Sequence, residues 1–139
     1  MKKSHQSKNL FSRTTMTAVV FAAAIAITGN ANAAGDAAAG EKVFKKCKQC
    51  HMIGDGAKSR QGPDLTGIID RPAGTVEGFR YSKGLKTKAE EGLVWTEENI
   101  SEYLKSPRKF IPKGKMSFAG LKKEEQITDL IAYIRTFQP

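Results

Sequence analysis

The chain has 139 residues, a length that suits one domain. It carries 23 Lys and Arg against 14 Asp and Glu, a formal +9, and only 2 Cys and 2 His. Two cysteines cannot build a disulfide framework, and the chain is too short for a second large core or a membrane bundle; its basic balance keeps nucleic acid open until motifs are read.

Residues 1–33 read as an address. Lys2, Lys3, Lys8 and Arg13 come first with no acid, then a ten-residue apolar run from Ala18 to Ile27, then Ala31-Asn32-Ala33 with small residues where a signal peptidase cuts. The competing reading is a retained anchor, but ten helical residues rise only about 15 Å against a hydrocarbon core of about 30 Å. No Arg pair precedes the run, so the route is Sec-type and the destination is the periplasm. Cleavage after Ala33 leaves 34–139 as the working domain, at net +5, with His51 as its only histidine and Met52 and Met116 as its only methionines. An apolar fraction of 40% is lean for so small a domain and favours a bound group that adds core surface.

The rest reads as an all-α chain of helices joined by Gly/Pro-rich loops. Asp36 caps a first helix predicted to run to about Lys48, with Gly40, Val43, Phe44 and Cys47 on one face. Residues 52–78 hold six Gly and two Pro and little periodicity, the mark of a long functional loop. A short helix is predicted from Ser82 to about Ala89. Thr96, followed by Glu97 and Glu98, caps another whose apolar face is Ile100, Tyr103 and Leu104 and which Pro107 stops. Residues 106–121 read as irregular. The last helix is predicted over about 122–137, with Ile127, Leu130, Ile131, Ile134 and Phe137 as its buried stripe and Tyr133 beside them.

The chemistry is concentrated in Cys47-Lys48-Gln49-Cys50-His51. This is C-x-x-C-H, the attachment pattern of c-type haem. Two thiols three positions apart can reach two vinyl groups on one porphyrin edge, and the adjacent His51 then lies under the iron. A thioredoxin-like redox pair belongs with a βαβ pattern, and no strand is legible here. A structural zinc needs four ligands, and the mature chain offers two Cys and one His without a second cluster. An iron held by His51 needs a sixth ligand or an open site. Met52 is tethered next to His51 and cannot swing to the other face, so Met116, in the loop Pro112-Lys113-Gly114-Lys115-Met116, is the candidate, against the plain reading of a Met that fills core.

Residues 36–138 resemble a small class I cytochrome c, of the soluble bacterial type similar to the mitochondrial protein. Gly40 and Phe44 resemble the family's N-terminal helix, and Leu130 and Tyr133 the C-terminal helix it crosses. Gly62-Pro63-Asp64-Leu65 resembles the stretch in which the Pro carbonyl accepts the ligand histidine's Nδ1–H. The resemblance also implies that Tyr81, Trp95 and Arg71 lie near the haem propionates, Tyr103 near the Met sulfur and Phe118 at the exposed haem edge. There are departures. Lys113-Gly114 stands where the family commonly has Gly-Thr, Asp64 where Asn is commoner, and Asp70 where Gly often precedes the Arg. The loop from Tyr81 to Trp95 is slightly longer than in the mitochondrial proteins.

Charge is segregated. Residues 105–123 hold seven cations and no acid, residues 42–60 net +5, and residues 66–102 net −2. The two basic stretches are those that carry Met116 and His51, so the expectation is a positive patch steering acidic redox partners to the haem edge. No base-reading motif is present, which argues against nucleic acid. The implied function is one-electron transfer by a soluble monomer with one covalent haem c, not an enzyme. Family analogy puts a quinol–cytochrome c reductase on one side and a terminal oxidase, dehydrogenase or reaction centre on the other. The alternatives are a peroxidase-like or gas-binding haem protein with a displaceable Met, and a subunit docked in a larger complex.

Overall fold

The computed structural model describes residues 35–139, so the address predicted over residues 1–33 lies outside the described residues. Five helices follow in order: α1 (Ala37–Phe44), α2 (Lys83–Glu90), α3 (Glu97–Lys105), α4 (Pro107–Phe110) and α5 (Glu124–Arg135). Among the described residues the only β pairing recorded is an isolated antiparallel bridge between Pro72 and Val94. The all-α expectation holds.

Caps set where the helices begin. The Asp36 carboxylate accepts the N–H groups of Ala38 and Ala39 at 2.8 and 3.2 Å, satisfying two of the donors that a helix start leaves unpaired. Ser82 Oγ accepts Leu85 N–H at 3.2 Å for α2, and Thr96 Oγ1 accepts Asn99 N–H at 3.2 Å for α3. Three predicted boundaries need correction. α1 ends at Phe44 and not near Lys48: past it the chain runs on as turns, with i→i+3 bonds (Cys47 N–H to Phe44 O at 2.8 Å, Cys50 N–H to Cys47 O at 3.0 Å) mixed with i→i+4 bonds (Lys48 N–H to Phe44 O at 3.1 Å, His51 N–H to Cys47 O at 2.9 Å). Residues 106–121 are not wholly irregular, because Pro107, with its φ already helical, opens α4. α5 covers Glu124–Arg135, and Phe137 lies beyond it, half-buried, with its ring 5.0 Å from that of Tyr133.

α1 crosses α5 at Gly40. A β-carbon there would collide with the Asp129 carbonyl oxygen and stand 2.8 Å from Tyr133 Cβ, so only glycine lets the two backbones meet. Asp129 Oδ1 also accepts Asp36 N–H at 2.8 Å, and Phe44 packs on Tyr133 with ring centroids 5.3 Å apart. Phe44 and Leu130 are each 1% exposed at the centre of this crossing. Two non-glycine residues take left-handed backbone, Asp70 at φ +60° and Lys113 at φ +61°. They are the two positions where the family resemblance puts glycine, so the turns persist although the side chains have changed.

Candidate functional site

The core does not close on itself. Phe44, Ile68, Trp95, Ile100, Leu104, Ile111, Leu130 and Ile134 form one buried cluster, and all of them also line a cavity of about 760 Å³. That is the size of a cofactor pocket. The wall is therefore built against a large, mostly apolar group.

The C-x-x-C-H stretch forms part of that wall. Cys47, Cys50 and His51 all line the cavity. Both cysteines are free, and Cys50 Sγ donates to Gln61 Oε1 at 3.3 Å. Burial, partly offset by the charge of Lys46, pushes the Cys47 thiol up to about 11. A redox-active pair needs the opposite, a thiolate at neutral pH. Among the described residues, no group of three His, Cys, Asp or Glu is placed to hold a metal, so the donor set of a structural zinc is not assembled.

His51 is held from two sides. Its Nδ1 lies 2.8 Å from Pro63 O. A carbonyl only accepts, so Nδ1 carries the proton and the Nε2 lone pair is left for a ligand. Burial lowers the His51 pKa, and the bond to Pro63 pulls the other way. Gly62 packs on the ring: a β-carbon there would stand 2.6 Å from Nδ1 and Nε2. Behind Pro63 a small network fixes the loop. Asp64 Oδ1 accepts Thr66 N–H at 2.9 Å and Thr66 Oγ1–H at 2.8 Å, and Gly54 N–H donates to Thr66 Oγ1 at 2.9 Å. Arg71 lines the cavity, but two of its guanidinium nitrogens are engaged with the same loop. Nη2 donates to Asp64 O at 2.8 Å and Nη1 to Thr66 O at 3.0 Å.

Met116 reaches the same cavity from the loop after α4. Tyr103 Oη donates to its Sδ at 3.1 Å, and burial pushes that phenol up to about 12, which keeps it a donor. Trp95 packs against Tyr103, with ring centroids 5.1 Å apart and planes tilted by 55°, and is 8% exposed. Tyr81 lines the cavity and accepts Val76 N–H at 3.1 Å, while Phe118 lines it half-buried. Pro63 lines it too. All ten residues singled out from the sequence therefore meet at one cavity. Five cations line it as well, Lys46, Arg60, Arg71, Arg80 and Lys115, with no acid among its lining residues. Sequence reasoning missed the Arg71 bonds to main-chain carbonyls and the Thr66 link, since neither leaves a pattern in the chain.

A small helical protein with its core wrapped around one cofactor-sized cavity, and C-x-x-C-H in the wall, is a haem c electron carrier in class. The chain belongs to the cytochrome c family, whose model matches residues 37–138. It is 52% identical over 100 residues to cytochrome c2 of Afifella marina, covering 72% of this chain and 81% of that protein. It is 52% identical over 105 residues to cytochrome c2 of Blastochloris viridis, covering 76% and 80% respectively. The solved structure of cytochrome c2 from Rhodospirillum centenum superimposes with a TM-score of 0.71 at 45% identity, covering 76% of this chain and 100% of that one. As a member of this family the chain binds one covalent haem c, which Cys47 and Cys50 fit, and it transfers electrons without catalysing a reaction.

Proposed function

We propose that this chain is a periplasmic one-electron carrier, with Cys47 and Cys50 as the thioether links and His51 Nε2 and Met116 Sδ as the axial ligands. On this reading residues 1–33 are a secretory signal and residues 34–139 the exported domain. One observation carries it: two free cysteines, a histidine with Nδ1 already engaged and a methionine with its sulfur already hydrogen-bonded meet at one cavity. When bound, the haem would supply an Fe(III)/Fe(II) couple, and His51 and Met116 are the residues that would hold its iron.

The protein's own part is positioning and charge. The bond from His51 to Pro63 O orients the imidazole and makes Nε2 a stronger donor. Tyr103 holds Met116 Sδ at the cavity and draws density from a donor that is already weak, which favours the reduced state. The buried aromatic and aliphatic wall excludes water and pushes the same way. Pro63, Arg71, Tyr81, Trp95 and Phe118 complete the pocket. The exposed cations of its lining, Lys46, Arg60, Arg80 and Lys115, suit acidic redox partners, a quinol–cytochrome c reductase as donor and an oxidase or reaction centre as acceptor.

The experiment is a pair of variants in the haem-loaded protein. Met116→Ala should abolish the long-wavelength sulfur–iron absorption band, lower the reduction potential and admit carbon monoxide, with the haem still attached. Met52→Ala should do none of these. Loss of the band in Met52→Ala alone, or its survival in Met116→Ala, overturns the ligand set. Mass spectrometry of the exported protein tests the cut after Ala33.

A further inference from the structure

The loop that carries Met116 is thinly held by its own backbone. Among the described residues, the backbone hydrogen bonds of segment 112–121 are Gly114 N–H to Ile111 O at 3.1 Å and Leu121 N–H to Leu104 O at 2.8 Å. Residues 112–115 are exposed, and Lys113 takes a left-handed conformation that a side chain of its kind disfavours. Something outside the loop must keep this turn in place. Tyr103 holds the loop's sulfur and α3 meets its far end at Gly120; at the Pro112–Lys113 turn itself the contact is with α2. Gly84 is the buried residue of that helix, and a β-carbon on it would collide with the Pro112 carbonyl oxygen. That carbon would also stand 2.9 Å from Lys113 C and 3.0 Å from Pro112 C. Gly84 stands in the first turn of α2, where alanine would form helix at least as well, and direct backbone contact gives a reason for glycine there.

α2 is suited to bear on a neighbour. Its start is fixed by the Ser82 cap, its end is tied by Leu93 N–H to Lys88 O at 3.0 Å, and Ala73 N–H donates to Leu93 O at 2.8 Å. Gly74 closes against its other side, where a β-carbon would stand 3.3 Å from Ala89 Cβ.

We propose that Gly84 is a positioning residue for the sixth ligand. Its bare backbone is the seat against which the Pro112–Lys113 peptide rests, and this seat keeps Lys113 left-handed and Met116 at the iron. The proposal rests on the reading of Met116 as that ligand. It makes α2 and the sulfur-bearing loop one unit although Gly84 and Pro112 are 28 positions apart in sequence.

The test uses the haem-loaded full chain. By helix propensity alone Gly84→Ala should leave the fold as stable or more so, and leave the iron untouched. As a seat it must move the turn: the sulfur–iron band should weaken and ferric cyanide affinity should rise about tenfold, the scale of a one-methyl overlap in a packed site. Coupling is reciprocal, so the unmodified protein gives a second measurement that needs no variant to fold. When imidazole displaces Met116, the α2 amides of Lys86 and Glu91, bonded to Ser82 O and Thr87 O at 3.0 Å each, should exchange with solvent about tenfold faster, and those of α5 should not. If Met116→Ala removes the band but Gly84→Ala keeps parental cyanide affinity, the seat is refuted and the ligand reading stands. Unchanged α2 exchange in imidazole refutes the seat equally. If Met116→Ala keeps the band, the ligand reading itself fails and the seat falls with it.

Discussion

Gly62→Ala tests how the histidine is held. Gly62 is not among the residues with positive φ, so alanine can adopt its backbone and the effect is purely one of space. The new methyl would stand 2.6 Å from both His51 ring nitrogens. The backbone cannot simply retreat, because Gly62 N–H is bonded to Cys50 O at 2.9 Å and Gly62 O accepts Arg60 N–H at 2.8 Å. The ring must turn, and the 2.8 Å bond to Pro63 O is lost or stretched. The overlap costs about 1–3 kcal/mol and the hydrogen bond about 1 kcal/mol, so the variant should lose about 2–4 kcal/mol. A weaker imidazole donor stabilises the ferric state less. If the full 0.5–1.5 kcal/mol of the bond favours the ferric state, the potential rises by about 20–60 mV, at about 59 mV per tenfold for one electron. Denaturant unfolding of the haem-loaded protein and spectroelectrochemistry measure the two effects. Parental stability together with a parental potential would show that His51 is not positioned by this contact.

Three further outcomes follow from the same geometry. Gly40→Ala puts a methyl into the Asp129 carbonyl at the helix crossing and should cost roughly 2 kcal/mol even after about 1 kcal/mol of helix propensity is gained; an unchanged unfolding midpoint would contradict that crossing. Arg135 donates to the Glu97 carboxylate at 2.7 and 2.8 Å and holds its pKa below the ordinary value. The resulting stability is present above the unfolded carboxylate's pKa and is lost as pH falls through the folded one. Both side chains are more than 40% exposed, so Arg135→Gln should cost under about 1 kcal/mol and flatten the acid limb of a stability–pH curve; a loss of several kcal/mol would contradict a solvent-screened pair. Lys46→Glu and Lys115→Glu at the cavity lining should slow electron transfer to an acidic partner and flatten its salt dependence, as the Debye length shrinks from about 30 Å at 0.01 M to about 8 Å at 0.15 M. Lys86→Glu, away from the lining, should matter much less, and equal slopes in stopped-flow would show that overall charge governs docking.

What could be read from the chain was contiguous or periodic. The caps at Asp36 and Thr96 and the stripe Ile127, Leu130, Ile131 and Ile134 are local signals, and each stands where local chemistry put it. C-x-x-C-H is contiguous too. The end of the first helix is not legible, because three-residue turns and a 3.6-residue helix place Val43, Phe44 and Cys47 alike over one turn. α4 was missed because a proline that stops one helix is also well suited to start the next. The left-handed Lys113, the Arg71 bonds to Asp64 O and Thr66 O, and the Gly84 seat on Pro112 involve backbone brought together across the fold. Main-chain partners carry no side-chain signature, so no pattern in one sequence announces them.

The bond from Asp36 N–H to Asp129 Oδ1 joins residues 93 apart and closes the domain on itself. A ring of that length forms only after nearly all of the chain is available, and its entropic cost is met in one step by the α1–α5 crossing. The two cysteines follow α1 directly, so in a chain emerging from its first residue they are presented long before their helix has a partner. In that interval both thiols would be accessible on open chain for attachment of the haem. A circular permutant that delivers α5 before α1 would shorten that interval, and maturation yield would then report on the order of assembly, apart from the stability of the finished protein.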